Sequence, residues 1–224
     1  MSKGKVDKPE IVKTEDGSHT LRHHKIPELY HSKHGAIQES MHVFIKEGLL
    51  QIDKPEIKIL EIGFGTGLNA LLTWMHKPDG TKIDYIAIDK YPLEEAIWKK
   101  LNYPKEVGHG AKTRFEALHK SEWGEAQKLS DDFTIEKREM DFFKYKTDRY
   151  NDLIYFDAFA PTVQPEFWEA ELLNEMFKSL RNDGILVTYC SKGSFQRHLK
   201  ACGFKVEKIA GPPGKREMIR AMRR

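Results

Sequence analysis

A short apolar run, Ile59, Leu60 and Ile62, breaks into glycines at 63, 65 and 67, and the apolar helical pattern of Leu68 to Leu71 follows at once. That order reads as a strand, a tight turn and a helix start. Alternate glycines permit φ > 0 and let the backbone press against a ligand with no Cβ in the way. The helix N-terminal amides then face the open end of a sheet, so the stretch points to a doubly wound α/β chain with a nucleotide-like ligand at the turn.

Two acids narrow the ligand. Glu61 lies two residues before the first glycine, where a carboxylate suits a ligand carrying an ammonium better than one carrying phosphates. Asp89 ends the next apolar run, Ile83 to Ile88, twenty-two residues after Gly67, where it can hold both ribose hydroxyls. The spacing is G-x-G-x-G and departs from the G-x-G-x-x-G of dinucleotide folds. A glycine turn alone would serve equally to pack a helix on a strand; with the flanking acids it points to S-adenosylmethionine.

With 224 residues, 39% of them hydrophobic and 32% charged, the chain suffices for one large domain. No apolar run approaches eighteen residues, and the polar N-terminus lacks a signal-peptide core, so a cytoplasmic protein with no membrane partner is expected. Cys190 and Cys202 give neither a disulfide framework nor a zinc site. Net charge is only +3, yet from Lys192 to Arg224 ten Lys or Arg face two acids, Glu207 and Glu217. That end would attract a polyanion, although a solvated basic tail reads the same way.

Residues 1–9 read as a frayed terminus and 10–26 as a β-hairpin turning at Asp16-Gly17, so 1–29 form an appendage and 30–224 the main domain. A helix follows through Met41, Phe44, Ile45, Leu49 and Leu50, and the loop before and into it offers Tyr30, Ser32 and Gln38 as hydrogen-bonding groups for a ligand on the glycine turn. Six of the ten histidines, at 19, 23, 24, 31, 34 and 42, precede residue 43, but no carboxylate pattern accompanies them and no metal is expected. Helices are expected at 68–76 and 93–101, and one or two more in 102–132. Further strands are expected at 133–137, 153–156, 185–190 after an Asn182-Asp183-Gly184 turn, 204–209 and 217–222. The fold class is therefore α/β, a class I methyltransferase with a Rossmann-like seven-stranded sheet whose last hairpin makes one strand antiparallel. In this class Asp141 can face the adenine amino group, with the neighbouring aromatic, Phe142, on the ring.

Asp157 ends the fourth strand, Leu153 to Phe156, and a carboxylate there points into the ligand crevice. It could equally cap a helix. The following Phe159 and Pro161 make a stiff aromatic wall suited to a planar base bearing an amine, which makes Asp157 the catalytic candidate. Only a neutral amine is nucleophilic, and an alkylamine is about 0.1% neutral at pH 7, so deprotonation costs roughly 4 kcal/mol. A sulfonium about 4 Å away repels an ammonium by a similar ~4 kcal/mol at an effective dielectric of ~20. Cofactor charge and Asp157 would thus share the work, the first lowering the amine pKa and the second orienting the amine and taking its proton.

The segments Gly63-Phe64-Gly65-Thr66-Gly67-Leu68-Asn69, Asp89-Lys90-Tyr91-Pro92-Leu93, Asp157-Ala158-Phe159-Ala160-Pro161 and Gly214-Lys215-Arg216-Glu217-Met218 occur in this order. In them the chain resembles the methyltransferase half of the MnmC family, most closely its stand-alone MnmD form. The resemblance implies N-methylation of wobble 5-aminomethyl-2-thiouridine in the tRNA anticodon loop, giving 5-methylaminomethyl-2-thiouridine. It adds Phe64, Asn69 and Lys90 to the cofactor set, Lys192, Arg197, Lys200, Lys215 and Arg216 as tRNA phosphate contacts, and Phe159 or Tyr189 as the surface for an unstacked base. Many members carry Glu at the position of Asp89, and either acid serves ribose. No second glycine fingerprint is present, so no FAD domain is expected in this chain and other enzymes would supply the aminomethyl tRNA. Two alternatives remain: a transferase, such as an aminopropyltransferase, acting on a small amine, and a non-catalytic RNA-binding protein on the same scaffold.

Overall fold

The structure is a computed structural model that describes residues 9–23 and 28–224. The expected frayed terminus, Pro9 apart, the far end of the hairpin at 24–27 and His24 lie outside the described residues. Strand β3 (Glu56–Ile62) sits in the middle of the main sheet, and both its faces are covered at its C-terminal end, where Ile59, Leu60, Glu61 and Ile62 are all fully buried. It pairs in parallel with β4 (Lys82–Asp89) on one side and β7 (Asn151–Phe156) on the other. Beyond these lie β6 (Phe133–Glu139) next to β4 and β8 (Leu180–Thr188) next to β7, both parallel. Strand β10 (Glu217–Met222) runs antiparallel between β8 and β9 (Lys205–Ala210), as the late hairpin required.

The seven expected strands are thus in one sheet, with an eighth at its edge. Strand β5 (Ala126–Ser130) pairs antiparallel with β6 and gives the order β5-β6-β4-β3-β7-β8-β10-β9. The one or two helices expected within 102–132 are α4 (Tyr103–Val107) and α5 (Ala111–Lys120), and β5 takes the end of that segment, where no strand is expected from the sequence. An edge strand reading Ala-Gln-Lys-Leu-Ser buries almost nothing, so it carries little alternation to betray it. The Asn182-Asp183-Gly184 segment also differs. It bulges out inside β8, with Leu180 opposite Asn151 and Ile185 opposite Leu153, and Asp183 takes a φ of 63°.

Helices cover both faces. On one, α1 (Ala36–Ser40), the helix α2 (Leu68–His76) and α5 pack with Phe44, Leu71 and Phe115; on the other, α6 (Ala170–Ser179) and α7 (Gly193–Ala201) pack with Met176, Phe195 and Phe156. A four-residue helix, α3 (Glu95–Trp98), is all that forms of the helix expected over 93–101. Helix α1 runs on into a wider π-helical turn, Met41–Lys46, which shifts the register so that Leu50 is 51% exposed while Leu49 is buried. Among the described residues no helix is long and apolar enough to cross a membrane.

The small hairpin, β1 (Glu10–Lys13) and β2 (His19–Arg22), turns where Asp16 accepts the Ser18 N–H at 2.9 Å. It docks on the main body. The His19 N–H donates to Asn102 Oδ1 at 2.8 Å, the Asn102 amide donates to the Gly17 carbonyl at 2.9 Å, and Leu21 is fully buried in the core.

Candidate active site

The C-terminal ends of β3, β4 and β7 open on a cavity of 1020 Å³. That is the upper end of the usual range for small-molecule sites and leaves room for a cofactor and an acceptor group together. Its floor is the glycine turn, where Gly63, Gly65 and Gly67 all have positive φ, at 94°, 50° and 72°. A Cβ on Gly63 would stand 3.1 Å from the Asp157 carbonyl oxygen, and one on Gly65 would stand 3.4 Å from the Tyr30 ring. The turn is locked to the next strand, since the Gly63 N–H donates to the Ile88 carbonyl at 2.9 Å and the Gly65 N–H to Asp89 Oδ2 at 2.8 Å.

Asp89 also accepts the Tyr91 N–H at 2.8 Å, and burial pushes its pKa up against these bonds. Each carboxylate oxygen keeps a lone pair for a ligand diol. Glu61 does not reach the cavity. It is fully buried behind Asn69, because it lies on β3 itself and α2 starts across it. Asn69 Nδ2 spans the two acids, donating to Glu61 Oε1 at 3.0 Å and Asp157 Oδ2 at 2.8 Å, so any influence of Glu61 on a ligand passes through Asn69. Burial, then the like charge of Asp157, holds the Glu61 carboxyl well above the usual range.

At the far side of Asp89, Phe142, Leu93 and Ile97 offer apolar walls. Asp141 caps the short turn Phe142–Lys144 by accepting the Phe143 N–H at 3.2 Å, and Lys90 Nζ donates to it at 2.8 Å and lowers its pKa. Phe64 and Lys90 line the cavity as well; Gly67 does not.

The other end is built around Asp157. Tyr30 and Phe159 meet edge to face at 5.1 Å, and the Tyr189 hydroxyl donates to the Ala158 carbonyl at 2.9 Å. Lys215 Nζ lies 3.8 Å from the centre of the Tyr189 ring and donates to Glu39 Oε1 at 2.7 Å. Glu39 Oε2 accepts the Ser32 N–H at 2.7 Å, and Glu28 accepts the Ala160 N–H at 2.8 Å. Burial, then the Glu39 charge, pushes the Asp157 carboxyl up to about 7, while the Asn69 bond and Lys215 pull it back.

The structure therefore brings Tyr30, Ser32, Gly63, Phe64, Gly65, Asn69, Asp89, Lys90, Asp141, Phe142, Asp157, Phe159, Tyr189 and Lys215 into one cavity wall. Pro161 and Arg216 lie outside it, and Gln38 is exposed and uses its N–H on Asp16. Sequence reading missed Glu28 and Glu39, whose acids look like solvated surface until the chain folds. The histidines disperse: His31 is buried and pushed down to about 4, His34 pairs with Glu15 at 2.9 Å, and His42 donates to the Ala210 carbonyl at 2.8 Å. Among the described residues no three metal-binding side chains stand together.

The donor set fits S-adenosylmethionine: a glycine cradle that a Cβ would fill, a diol acceptor at Asp89, and a buried acceptor at Asn69 Oδ1 that has no hydrogen-bond partner among the described residues. Comparison with known proteins agrees. The family described as S-adenosyl-L-methionine-dependent methyltransferase matches residues 132–224. A crystal structure of MNMC2 from Aquifex aeolicus superposes with a TM-score of 0.81 at 26% identity, covering 97% of this chain and 71% of that one. The tRNA 5-methylaminomethyl-2-thiouridine biosynthesis bifunctional protein MnmC of Vibrio campbellii is 29% identical, over 86% of this chain and 32% of that protein. An uncharacterized protein of Methanocaldococcus jannaschii is 28% identical, over 88% of this chain and 54% of that protein. Fold, site and matches define an S-adenosylmethionine-dependent methyltransferase of class I. Within that class the chain is similar to the MnmC methyltransferase half, and it spans about a third to a half of the length of these curated relatives.

Proposed function

We propose that this chain methylates the exocyclic amine of 5-aminomethyl-2-thiouridine at the wobble position of tRNA, giving 5-methylaminomethyl-2-thiouridine. The observation that carries the reading is the placement of Asp157 between an aromatic-walled acceptor end and the glycine turn, where burial pushes its carboxyl up to about 7. A proton acceptor titrating near neutrality is what deprotonation of an amine requires. The relatives named for tRNA 5-methylaminomethyl-2-thiouridine biosynthesis suggest the acceptor's identity.

The cofactor, when bound, supplies a methyl group on a positively charged sulfur. Asn69 holds Asp157 Oδ2, which leaves Oδ1 to receive the amine first as an ammonium and then to take its proton. Tyr30, Phe159 and Tyr189 stack against the unstacked base and exclude water. Outside the cavity, Lys192, Arg197, Lys200 and Arg216 are exposed and face a polyanion with no loss of fold.

The test is mass analysis of wobble uridines after incubating hypomodified tRNA with protein and cofactor, with polyamines assayed in parallel. A gain of one methyl on the aminomethyl uridine is expected. Consumption of polyamine with tRNA untouched would replace this reading with a small-amine transferase.

A further inference from the structure

Lys215 is the cation on the cavity wall nearest the reacting end, and a cation there competes with the substrate. Asp157 is useful to an incoming ammonium only while no protein cation is bound to it. Lys215 lines the same wall and lies close enough for its charge to favour the Asp157 carboxylate. Its flexible stem would bring it to Asp157 unless something stronger held it.

Glu39 supplies that hold. It comes from α1, is 8% exposed at its side chain, and is fixed by its second oxygen on the Ser32 N–H. Its first oxygen takes Lys215 Nζ at 2.7 Å, and the ammonium rests on the Tyr189 face at 3.8 Å. The loop carrying Lys215 is clamped from the same side. The His42 ring donates to the Ala210 carbonyl at 2.8 Å, and a Cβ on Gly214 would run into the His34 ring. The segment 32–42 thus fixes both the carboxylate and the backbone from which Lys215 reaches it.

We propose that Glu39 is a positioning residue: by holding the Lys215 ammonium on itself and on Tyr189, it keeps Asp157 unpaired by any protein cation and open to the acceptor amine. The proposal rests on the methylation reading above and names the residue that sets its acceptor specificity. Asp157 is otherwise faced by Asn69, by the acids Glu61, Glu28 and Glu39, and by the un-ionised hydroxyls of Tyr85, Tyr103 and Tyr189. Lys215 is the one group of opposite charge among them. Once released, its ammonium moves to Asp157 and occupies the place of the substrate's own.

The experiment is a double-mutant cycle of Glu39→Gln and Lys215→Met, read in two ways on the cofactor-loaded protein. Steady-state kinetics on aminomethyl tRNA should show Glu39→Gln raising the acceptor KM about tenfold or more with Lys215 present. In the Lys215→Met background the same change should raise KM less than about twofold. Carbon-13 NMR of the Asp157 carboxyl, assigned with Asp157→Asn, should show its titration moving down by about one unit or more further in Glu39→Gln with Lys215 present than in the Lys215→Met background, where only a like charge leaves and no attracting charge arrives. Equal KM effects in both backgrounds, or equal titration shifts in both, overturn the proposal. The NMR arm needs no turnover, so it decides the role of Glu39 even if wild-type protein fails to methylate tRNA, which would count against the substrate reading alone.

Discussion

Replacing Asp157 with Asn removes the charge and the proton acceptor while keeping the shape and the Asn69 contact. If Asp157 is the base, kcat/KM should fall by about 10²–10⁴, the usual worth of a positioned general base, or roughly 3–5 kcal/mol of barrier. Cofactor affinity should stay within about threefold, because the glycine turn and Asp89 are untouched. The wild-type rate should rise with pH through about 7 as the carboxyl ionises, and the variant should lack that limb. The same substitution should stabilise the fold. A carboxyl raised from 3.8 to about 7 holds its proton more tightly in the folded state, so its cost grows as pH rises from 3.8 and levels off above 7. The full gap corresponds to roughly 4 kcal/mol. Water in the cavity screens a half-buried carboxylate, and halving leaves about 2 kcal/mol, or ~4–8 °C in Tm. Thermal melts should therefore show Asp157→Asn more stable at pH 8 and nearly equal to wild type at pH 4. Turnover retained within about tenfold, or a stability gain independent of pH, would refute the assignment.

Gly63→Ala forces a Cβ into a φ of 94° and to 3.1 Å from the Asp157 carbonyl, and calorimetry should show cofactor affinity falling about tenfold, the equivalent of ~1–2 kcal/mol; unchanged affinity would take the turn out of the site. Lys137 is buried beneath the turn, its Nζ donating to the His119 carbonyl at 3.0 Å and lying 5.3 Å from the centre of the Phe64 ring, and burial pushes it down to about 8. A depressed lysine burdens the fold while charged, so wild-type Tm should rise from pH 8 towards 10 and Lys137→Met should lose that rise. Arg216→Glu should weaken tRNA binding at low salt and reduce the salt dependence by about one phosphate contact or more; an identical salt slope would exclude this face.

The sheet was legible because its central strands are buried on both faces and end in acids: β3 with Glu61, β4 with Asp89 and β7 with Asp157 all read directly from apolar runs. Helix α2 was legible to the residue, since Gly67 and the turn before it leave only one place for it to begin. What failed to show were features whose meaning depends on partners distant in sequence. Strand β5 owes its pairing to β6 rather than to its own pattern. Glu39 sits in an ordinary amphipathic stretch, and its meaning depends on Lys215, which is 176 residues away. Glu61 had read as a direct ligand, because a sequence cannot say that Asn69 would be folded across it.

The net charge of +3 conceals two opposed fields, and their separation bears on substrate choice. On the proposed reading the exposed basic residues of the C-terminal third draw the tRNA to the sheet edge. Inside the cavity the balance reverses: Glu39 and Lys215 neutralise each other, which leaves Glu28 and Asp157 as the charges at the acceptor end. On the proposed reading a tRNA is held by its phosphates, but only a side group carrying positive charge is welcome at its tip. An acceptor whose amine still bore a carboxymethyl group would bring a carboxylate against these acids, a like-charge contact costing several kcal/mol in such an enclosure. The enzyme would then act only after that group had been removed, and the acids of the cavity would enforce that order. Competition assays with tRNA bearing the two side groups should give an inhibition constant for the carboxymethyl form at least about a hundredfold above the KM of the aminomethyl form. Comparable affinities would show that these carboxylates do not discriminate.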